Sequence, residues 1–415
     1  MPGAAGLYRR MTQTESQPAP DPGQSWSTLA LLVAVVLVGA NAFVLNPILT
    51  EVAGDLGTDA LHVARAISAF GAATAVSALL LAGLVDRMPP GRVLAGAAVL
   101  LGLAQCASAG AQDWRVLCLA QAAAGVATGI LLPGTYATTA ATAPKGREAA
   151  RLGLVLTGWA LSLVLAVPLS AMLAERAGWR AVYLVLAALS LLVGLGLALA
   201  LRRVSAGSAA VSAAPRSSAL RALRLPGIAP LLAVVLGFMT AFYGSFTFFG
   251  EGLRRAFGLS AEGSGLFIMA YGLGFGLTGI ALGLVAPRIT RRYVVLVLIC
   301  IAASYAGWSL ALRAVPAALA AAAFWGALNQ LGLNALVVSL NRRAAQAAVQ
   351  GQGAVIGAVM GLNSATTYAA VFAGPMLMGP IEAAHGFAAV GATSAVLVLL
   401  AALVAAAGAA APPPT

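Results

Sequence analysis

Residues 202–227 read RRVSAGSAAVSAAPRSSALRALRLPG, and the architecture follows from how this stretch divides the chain. It is the one long internal break in a succession of apolar runs, made of serine, alanine and arginine and closed by Pro226-Gly227. A segment of that composition prefers water to a packed interior. Working outward from it, apolar runs separated by charged or turn-forming breaks predict six helices on each side. Before it they fall at Trp26–Thr50, His62–Val85, Val93–Ala111, Trp114–Ala140, Leu152–Leu173 and Arg180–Leu201. After it they fall at Ile228–Gly250, Ser264–Val285, Tyr293–Leu312, Val315–Leu340, Gln352–Met376 and Phe387–Ala407. Several reach the ~20 residues needed to cross ~30 Å of hydrocarbon.

Composition supports the same reading. The 415 residues are 61% hydrophobic and 9% charged, against roughly 25% charged in a soluble domain. So few charges cannot cover a water-exposed surface, so the solvent for most of the chain is lipid. The expected fold class is therefore an all-α membrane protein of twelve transmembrane helices in two pseudo-symmetric six-helix bundles. The domain boundaries expected are a disordered cytoplasmic tail over 1–25, an N-terminal bundle over 26–202, a cytoplasmic linker over 203–227, a C-terminal bundle over 228–408 and a cytoplasmic tail over 409–415.

The net charge of +12 reports topology and excludes a nucleic-acid partner, because the basic residues sit as pairs and triplets between apolar runs. With twelve spans, seventeen of the 24 basic residues collect on the side of the N-terminus and seven on the other. The positive-inside rule then places both termini and the central break in the cytoplasm of a multi-pass protein of a bacterial inner or plasma membrane. The single lysine, Lys145, lies in APKGRE without the glycine-rich lead-in of a phosphate-binding loop, which argues against ATP-driven pumping by this chain. An enzyme has little to stand on. The only histidines are His62 and His385, outside any metal-ligand spacing, and there is no Gly-x-Ser-x-Gly turn. No cofactor or metal is expected. Cys106, Cys118 and Cys300 lie inside apolar runs and read as small core residues.

The two halves resemble each other. GDLGTDALHVARAISAFGAA (54–73) corresponds to RAFGLSAEGSGLFIMAYGLG (255–274), and LAGLVDRMPPGR (81–92) to GLVAPRITRR (283–292). Two repeats around a shared cavity suit alternating access, since each can rock as a unit. At the second-to-third-helix loop, Asp86, Arg87 and Arg92 match the pattern Gly-x-x-x-Asp-Arg-x-Gly-Arg-Arg, with Ala82 at the glycine position and MPPG in place of the x-Gly-Arg-Arg run. VPLSAML (167–173) followed by GWRAVY (178–183) resembles the VPLG…GWR…F pattern of efflux permeases through Val167, Pro168, Trp179 and Arg180. On these motifs the chain resembles the major facilitator superfamily, and within it the drug:proton antiporters and arabinose-efflux-type permeases, from about Trp26 onward.

That resemblance implies a secondary transporter with a small-molecule substrate, protons as coupling ion and the lipid bilayer as its medium; a monomer is the expectation. It also implies a latch in which Asp86 accepts hydrogen bonds from the start of helix eleven near Gly351. Arg87, Arg92 and Arg288 are the other gating candidates, with Pro287 where the second repeat would have its aspartate. Two departures stand out. Gln121 occupies the place of a membrane-buried arginine of proton-coupled relatives, and the glycine-rich antiporter pattern of helix five is reduced to Gly158, Pro168 and Ser170.

All twelve acidic residues fall in tails, loops or helix ends, so no proton relay shows itself at mid-depth. Glu51 and Glu251, at the outer ends of helices one and seven, are the proton-coupling candidates. Mid-membrane polarity is uncharged, and in lipid an amide must find a partner or face a cavity. The substrate-facing candidates are Asn41 of helix one, Gln121 of helix four, Thr240, Tyr243 and Phe246 of helix seven, Tyr271 of helix eight, Trp325, Asn329 and Gln330 of helix ten and Asn363 of helix eleven. For each amide the competing role is a helix–helix hydrogen bond. A pocket of amides, hydroxyls and rings suits efflux of a neutral or amphipathic solute, drug-like or sugar-like. A facilitator or uptake carrier, and a non-transporting membrane sensor with the same fold, are the alternatives.

Overall fold

The structure, a computed structural model, describes residues 22–81, 84–144, 146–202, 204, 221–285, 288–349 and 356–407, and for the side chains of residues 22–24, 85, 86, 149, 348 and 356 it describes nothing. The expected tails over 1–25 and 409–415 and the linker over 203–227 thus fall wholly or largely outside the described residues, as do Lys145, Ala82, Pro287, Gly351 and the Asp86 side chain.

Backbone amides cannot hydrogen-bond to hydrocarbon, so each crossing segment closes its own ladder as a helix. Twelve result. Helix α1 runs Pro22–Phe43 and resumes after Val44 as Leu45–Asp55. α2 is Ala60–Leu81, α3 Pro90–Ala109 and α4 Trp114–Ala141. α5 runs Glu148–Leu161, passes through a π turn at Ser162–Ala166 and continues as Val167–Ala177; α6 is Trp179–Ala200. The second half comprises α7 Ile228–Phe257, α8 Ala261–Val285, α9 Arg291–Ala306 with its short continuation Trp308–Ala311, α10 Val315–Val349, α11 Ile356–His385 and α12 Phe387–Ala407. Eleven are long and apolar enough to cross a membrane. The twelfth, α11, has 30 residues but carries Asn363, Ser364, Thr366, Thr367 and Tyr368.

Local chemistry explains the irregularities. Pro168 has no N–H to donate back into the preceding turn, and the π turn of α5 lies immediately before it. Asp113 caps α4 by accepting from the backbone N–H groups of Arg115 (2.7 Å) and Val116 (3.0 Å). Gly258 ends α7 in the left-handed region, φ +65°, which a side chain would strain.

The packing repeats itself across the two halves. In the first, α2 packs on α4, α3 on α6 and α4, and α1 on α5 and α6; in the second, α8 packs on α10, α9 on α12 and α10, and α7 on α11 and α12. Adding six to each first-half helix number gives its second-half counterpart. The halves meet along α2 with α11 and along α5 with α8, which the same operation interchanges, and where α1 passes α7. The expectation of two six-helix bundles is therefore met in full.

Lipid gives apolar side chains no reason to associate, so close packing has to come from small residues. A Cβ added to Gly326 of α10 would run into the Tyr271 carbonyl oxygen of α8, and one on Gly274 of α8 into the Ala323 backbone of α10. At the end where α1 begins, here the entry end, Arg151 is buried and donates to Thr28 Oγ1 (2.8 Å), Ser27 Oγ (2.7 Å) and Thr142 Oγ1 (2.9 Å). Hydroxyls from α1 and the end of α4 thereby hold a cation of α5 without a carboxylate among these partners. At the opposite, far end, Asp55 accepts from Arg180 and from Trp179 Nε1 (3.0 Å), and these hydrogen bonds hold its carboxyl below the usual aspartate range. We predict that Gly326→Val, by forcing α8 and α10 apart at a cost of about 1–3 kcal/mol, lowers the melting temperature of the detergent-purified protein by several degrees. An unchanged melting temperature would show that the close approach is slack.

Candidate functional site

A cavity of about 340 Å³ lies between the halves, within the range of small-molecule sites. The first half supplies Phe43 of α1, Leu132 and Tyr136 of α4, and Leu156, Trp159 and Leu163 of α5. From the second come Tyr243 and neighbours on α7, Tyr271 and Phe275 of α8, Asn329 and Gln330 of α10, and Asn363, Ser364, Thr367 and Tyr368 of α11. None of the lining side chains is ionisable at neutral pH, and the polarity is lopsided. The amides all stand on the second half, whereas the first offers rings and the Trp159 indole N–H, which donates to the Tyr136 hydroxyl at 2.8 Å.

Of the ten substrate-facing candidates, Tyr243, Tyr271, Asn329, Gln330 and Asn363 come together on this lining. Asn329 Nδ2 donates to the Tyr271 hydroxyl at 3.1 Å, tying α10 to α8. Phe246 and Trp325 stand behind the cavity toward the far end, both fully buried, with ring centroids 5.8 Å apart. Phe246 also meets Phe43 across the divide at 5.1 Å, and Phe249, Trp308 and Phe387 extend the cluster, so the cavity ends on an aromatic plug. Thr240 is buried on α7 beside Gly374 of α11.

Asn41 and Gln121 lie elsewhere, in a buried network confined to the first half. Asn41 Nδ2 donates to Gln121 Oε1 (3.2 Å), Gln121 Nε2 to Ser108 Oγ (3.0 Å) and Gln105 Nε2 to Asn41 Oδ1 (3.4 Å), while Ser190 Oγ donates to Gln105 Oε1 (2.8 Å). Four helices, α1, α3, α4 and α6, are cross-linked by amides and hydroxyls alone. A network so fully paired rigidifies its bundle. Sequence periodicity named Asn41 and Gln121 but gave no signal that they answer each other, because α1 and α4 are eighty residues apart in the chain.

The far end is where the halves are fastened. Glu51 of α1 pairs with Arg254 of α7, Thr50 Oγ1 donates to Glu251, and the backbone N–H of Glu262 donates to Glu175 at 3.0 Å. Gly250 lies against the Asn46 carbonyl, and Gly379 of α11 against Leu61 of α2. Among the described residues every hydrogen bond and ion pair between the halves is of this end. Lining positions such as Tyr136, Leu156 and Asn363 lie in the entry half of their helices, so the cavity sits on the entry side of the plug. Of the gating candidates, Arg87, Arg92 and Arg288 are at the entry end and exposed. Sequence reading missed Tyr136, Trp159 and Tyr368, which it had no reason to prefer over other membrane aromatics, and it treated Glu382 as an ordinary helix end although it is 3% exposed.

Two helical repeats packed around a shared cavity and fastened to each other at one end have the architecture of a membrane carrier. The chain belongs to the Major Facilitator Superfamily, whose profile matches residues 31–359. It is similar to YwfA of Bacillus subtilis (strain 168), described as an uncharacterized MFS-type transporter, at 29% identity over 376 residues, 89% of this chain and 88% of the relative. A chloramphenicol resistance protein of Streptomyces lividans is 29% identical over 246 residues, 59% of this chain and 62% of its own. Among solved structures, a bacterial homologue of the human lysosomal transporter Spinster, in an inward-facing and occupied conformation, superposes with a TM-score of 0.73 at 14% identity, covering 94% of this chain and 98% of that one.

The far-end fastening is testable. The Glu51–Arg254 pair is partly exposed, and pairs of this kind contribute about 1 kcal/mol. We predict that Arg254→Glu raises the labelling of a cysteine at buried Ser68 by an impermeant maleimide by roughly fivefold, and that Glu51→Arg added to it brings labelling back. A double variant labelled as fast as the single one would contradict the pairing.

Proposed function

We propose that this transporter exports a small neutral or amphipathic organic solute by alternating access, with protons as the coupling ion. One observation carries the substrate class: the cavity is shared by both halves and lined by rings, hydroxyls and amides with no fixed charge. A charged solute would lose its hydration there with no counter-charge in return, whereas a planar apolar body with one or two hydrogen-bonding groups meets rings and the Asn329, Gln330 and Asn363 amides. The similarity to a chloramphenicol resistance protein supports export of a drug-like compound. Proton coupling rests on the family resemblance, and Glu51 and Glu251 remain its candidates. The chain is proposed to act as a monomer in a bacterial inner or plasma membrane with its termini and the 203–227 linker in the cytoplasm, which makes the entry end the cytoplasmic one.

The test is purified protein in liposomes, with chloramphenicol as the first of a panel of neutral amphipathic solutes, scored for flux with and without an imposed pH gradient. Gradient-driven flux, reduced at least tenfold by Asn329→Leu combined with Asn363→Leu, is the expected result. Gradient-independent flux would identify a facilitator, and binding without flux a sensor; either overturns the coupled-export reading. At the entry end Asp86, with Arg87, Arg92 and Arg288, is the proposed gate. Asp86→Asn should lower the flux while membrane expression stays at the wild-type level, and undiminished flux would remove Asp86 from the mechanism.

A further inference from the structure

The far end holds more negative than positive charge. Arg255 serves two carboxylates at once: its Nε donates to Glu251 Oε1 at 3.1 Å, and its Nη1 stands 2.8 Å from Glu382 Oε1. The second approach has ion-pair distance without hydrogen-bond alignment, so Glu382 Oε1 is buried with no hydrogen-bond partner. The adjoining guanidinium, Arg254, is occupied by Glu51. Three carboxylates therefore share two guanidiniums, and the one with the weakest claim, Glu382, is also the most buried of them.

Among the described residues no other group on the elements packed around Glu382 offsets the excess. On α2, His62 pairs with Asp59 at 2.7 Å and Arg65 lies over the Trp114 ring at 5.3 Å. α12 has no ionisable side chain, the arginines of α10, Arg342 and Arg343, lie near its entry end, Arg313 stands in the turn before it, and His385 follows Glu382 on α11 itself. A buried carboxylate without a full counter-charge is stabilised by binding a proton.

We propose that Glu382 holds a proton taken from the far side, and that this proton locks the far end shut. The lock reaches the other half because Arg255, which stands beside Glu382, also holds Glu251, to which Thr50 of α1 donates. Arg255 is half-exposed, so water on the far side reaches the cluster, while the plug of Phe246, Phe249 and Trp325 separates it from the cavity. Opening the far end hydrates Glu382 and releases the proton; closing it buries the carboxyl and takes the proton up. By linkage, lower pH on the far side favours the closed state, by up to about tenfold in population per pH unit for one linked proton. This inference rests on the transporter reading only for the movement of one half against the other.

The experiment measures the distance between spin labels on Gly54→Cys of α1 and Ala256→Cys of α7, both exposed at the far end, with Cys106, Cys118 and Cys300 replaced by serine. In reconstituted protein without solute, the short-distance population should rise as the pH falls. Glu382→Gln, which removes the charge and keeps the shape, should hold the short distance at every pH, and Glu251→Gln, which frees Arg255 for Glu382, should move the response to lower pH and keeps the test open if Glu382→Gln proves unstable. A wild-type distance that ignores pH, a pH response that survives in Glu382→Gln, or one left unmoved by Glu251→Gln would overturn the proposal. Because no solute is present, a pH-driven shift in a protein that shows no flux would retain the lock and sink only the export reading.

Discussion

Hydrocarbon cannot hydrogen-bond, and this one constraint orders the molecule. It forces every crossing backbone into a helix, requires each buried amide to find a protein partner or a wet cavity, and makes charge affordable only at helix ends. The chain meets these demands in separate places. Amides of the first half satisfy one another in the Asn41–Gln121–Gln105 network, amides of α10 and α11 turn to the cavity, and the ion pairs of the described residues gather at the far end. The Arg151 site follows the same logic, with hydroxyls of α1 and α4 standing in for water around a buried cation.

This segregation explains how a body held together by many weak contacts can have a single moving joint. Inside each half the helices approach through glycine and alanine, and in the first half they are pinned by buried amides. Between the halves the joints are of another kind: small residues where α2 meets α11 and α5 meets α8, ring contacts around Phe43, and ion pairs on the rim. The partly exposed ion pairs can be exchanged for water at little net cost, whereas the buried amide network rigidifies its bundle. The structure is therefore stiff where it must carry load and soft where it must part.

The fold was legible because span length, the Ser/Ala/Arg break and arginine placement are one-dimensional signals. Helix ends were less so: α1 continues to Asp55, past the expected Thr50, and α10 to Val349, past Leu340, since helices in this fold protrude beyond the apolar stretch that reveals them. Half of the substrate-facing candidates converge on the cavity because an amide or tyrosine deep in a span has few other uses. Asn41 and Gln121 obey the same rule by pairing with each other, and sequence alone cannot tell those outcomes apart. Glu382 hid for the opposite reason. A glutamate three residues from a helix end reads as solvated, and only the folded structure, in which Arg255 of α7 stands beside it, shows that it is buried.

The proposed export depends on the halves parting at the far end. The most direct measurement places cysteines at Leu61 of α2 and Gly379 of α11, which touch across the joint, in a background without the native cysteines, and compares solute flux before and after joining them with a disulfide or the shortest bifunctional reagent. The account predicts that flux stops when the link forms and returns when it is cleaved. Full flux through a fully linked protein would contradict it.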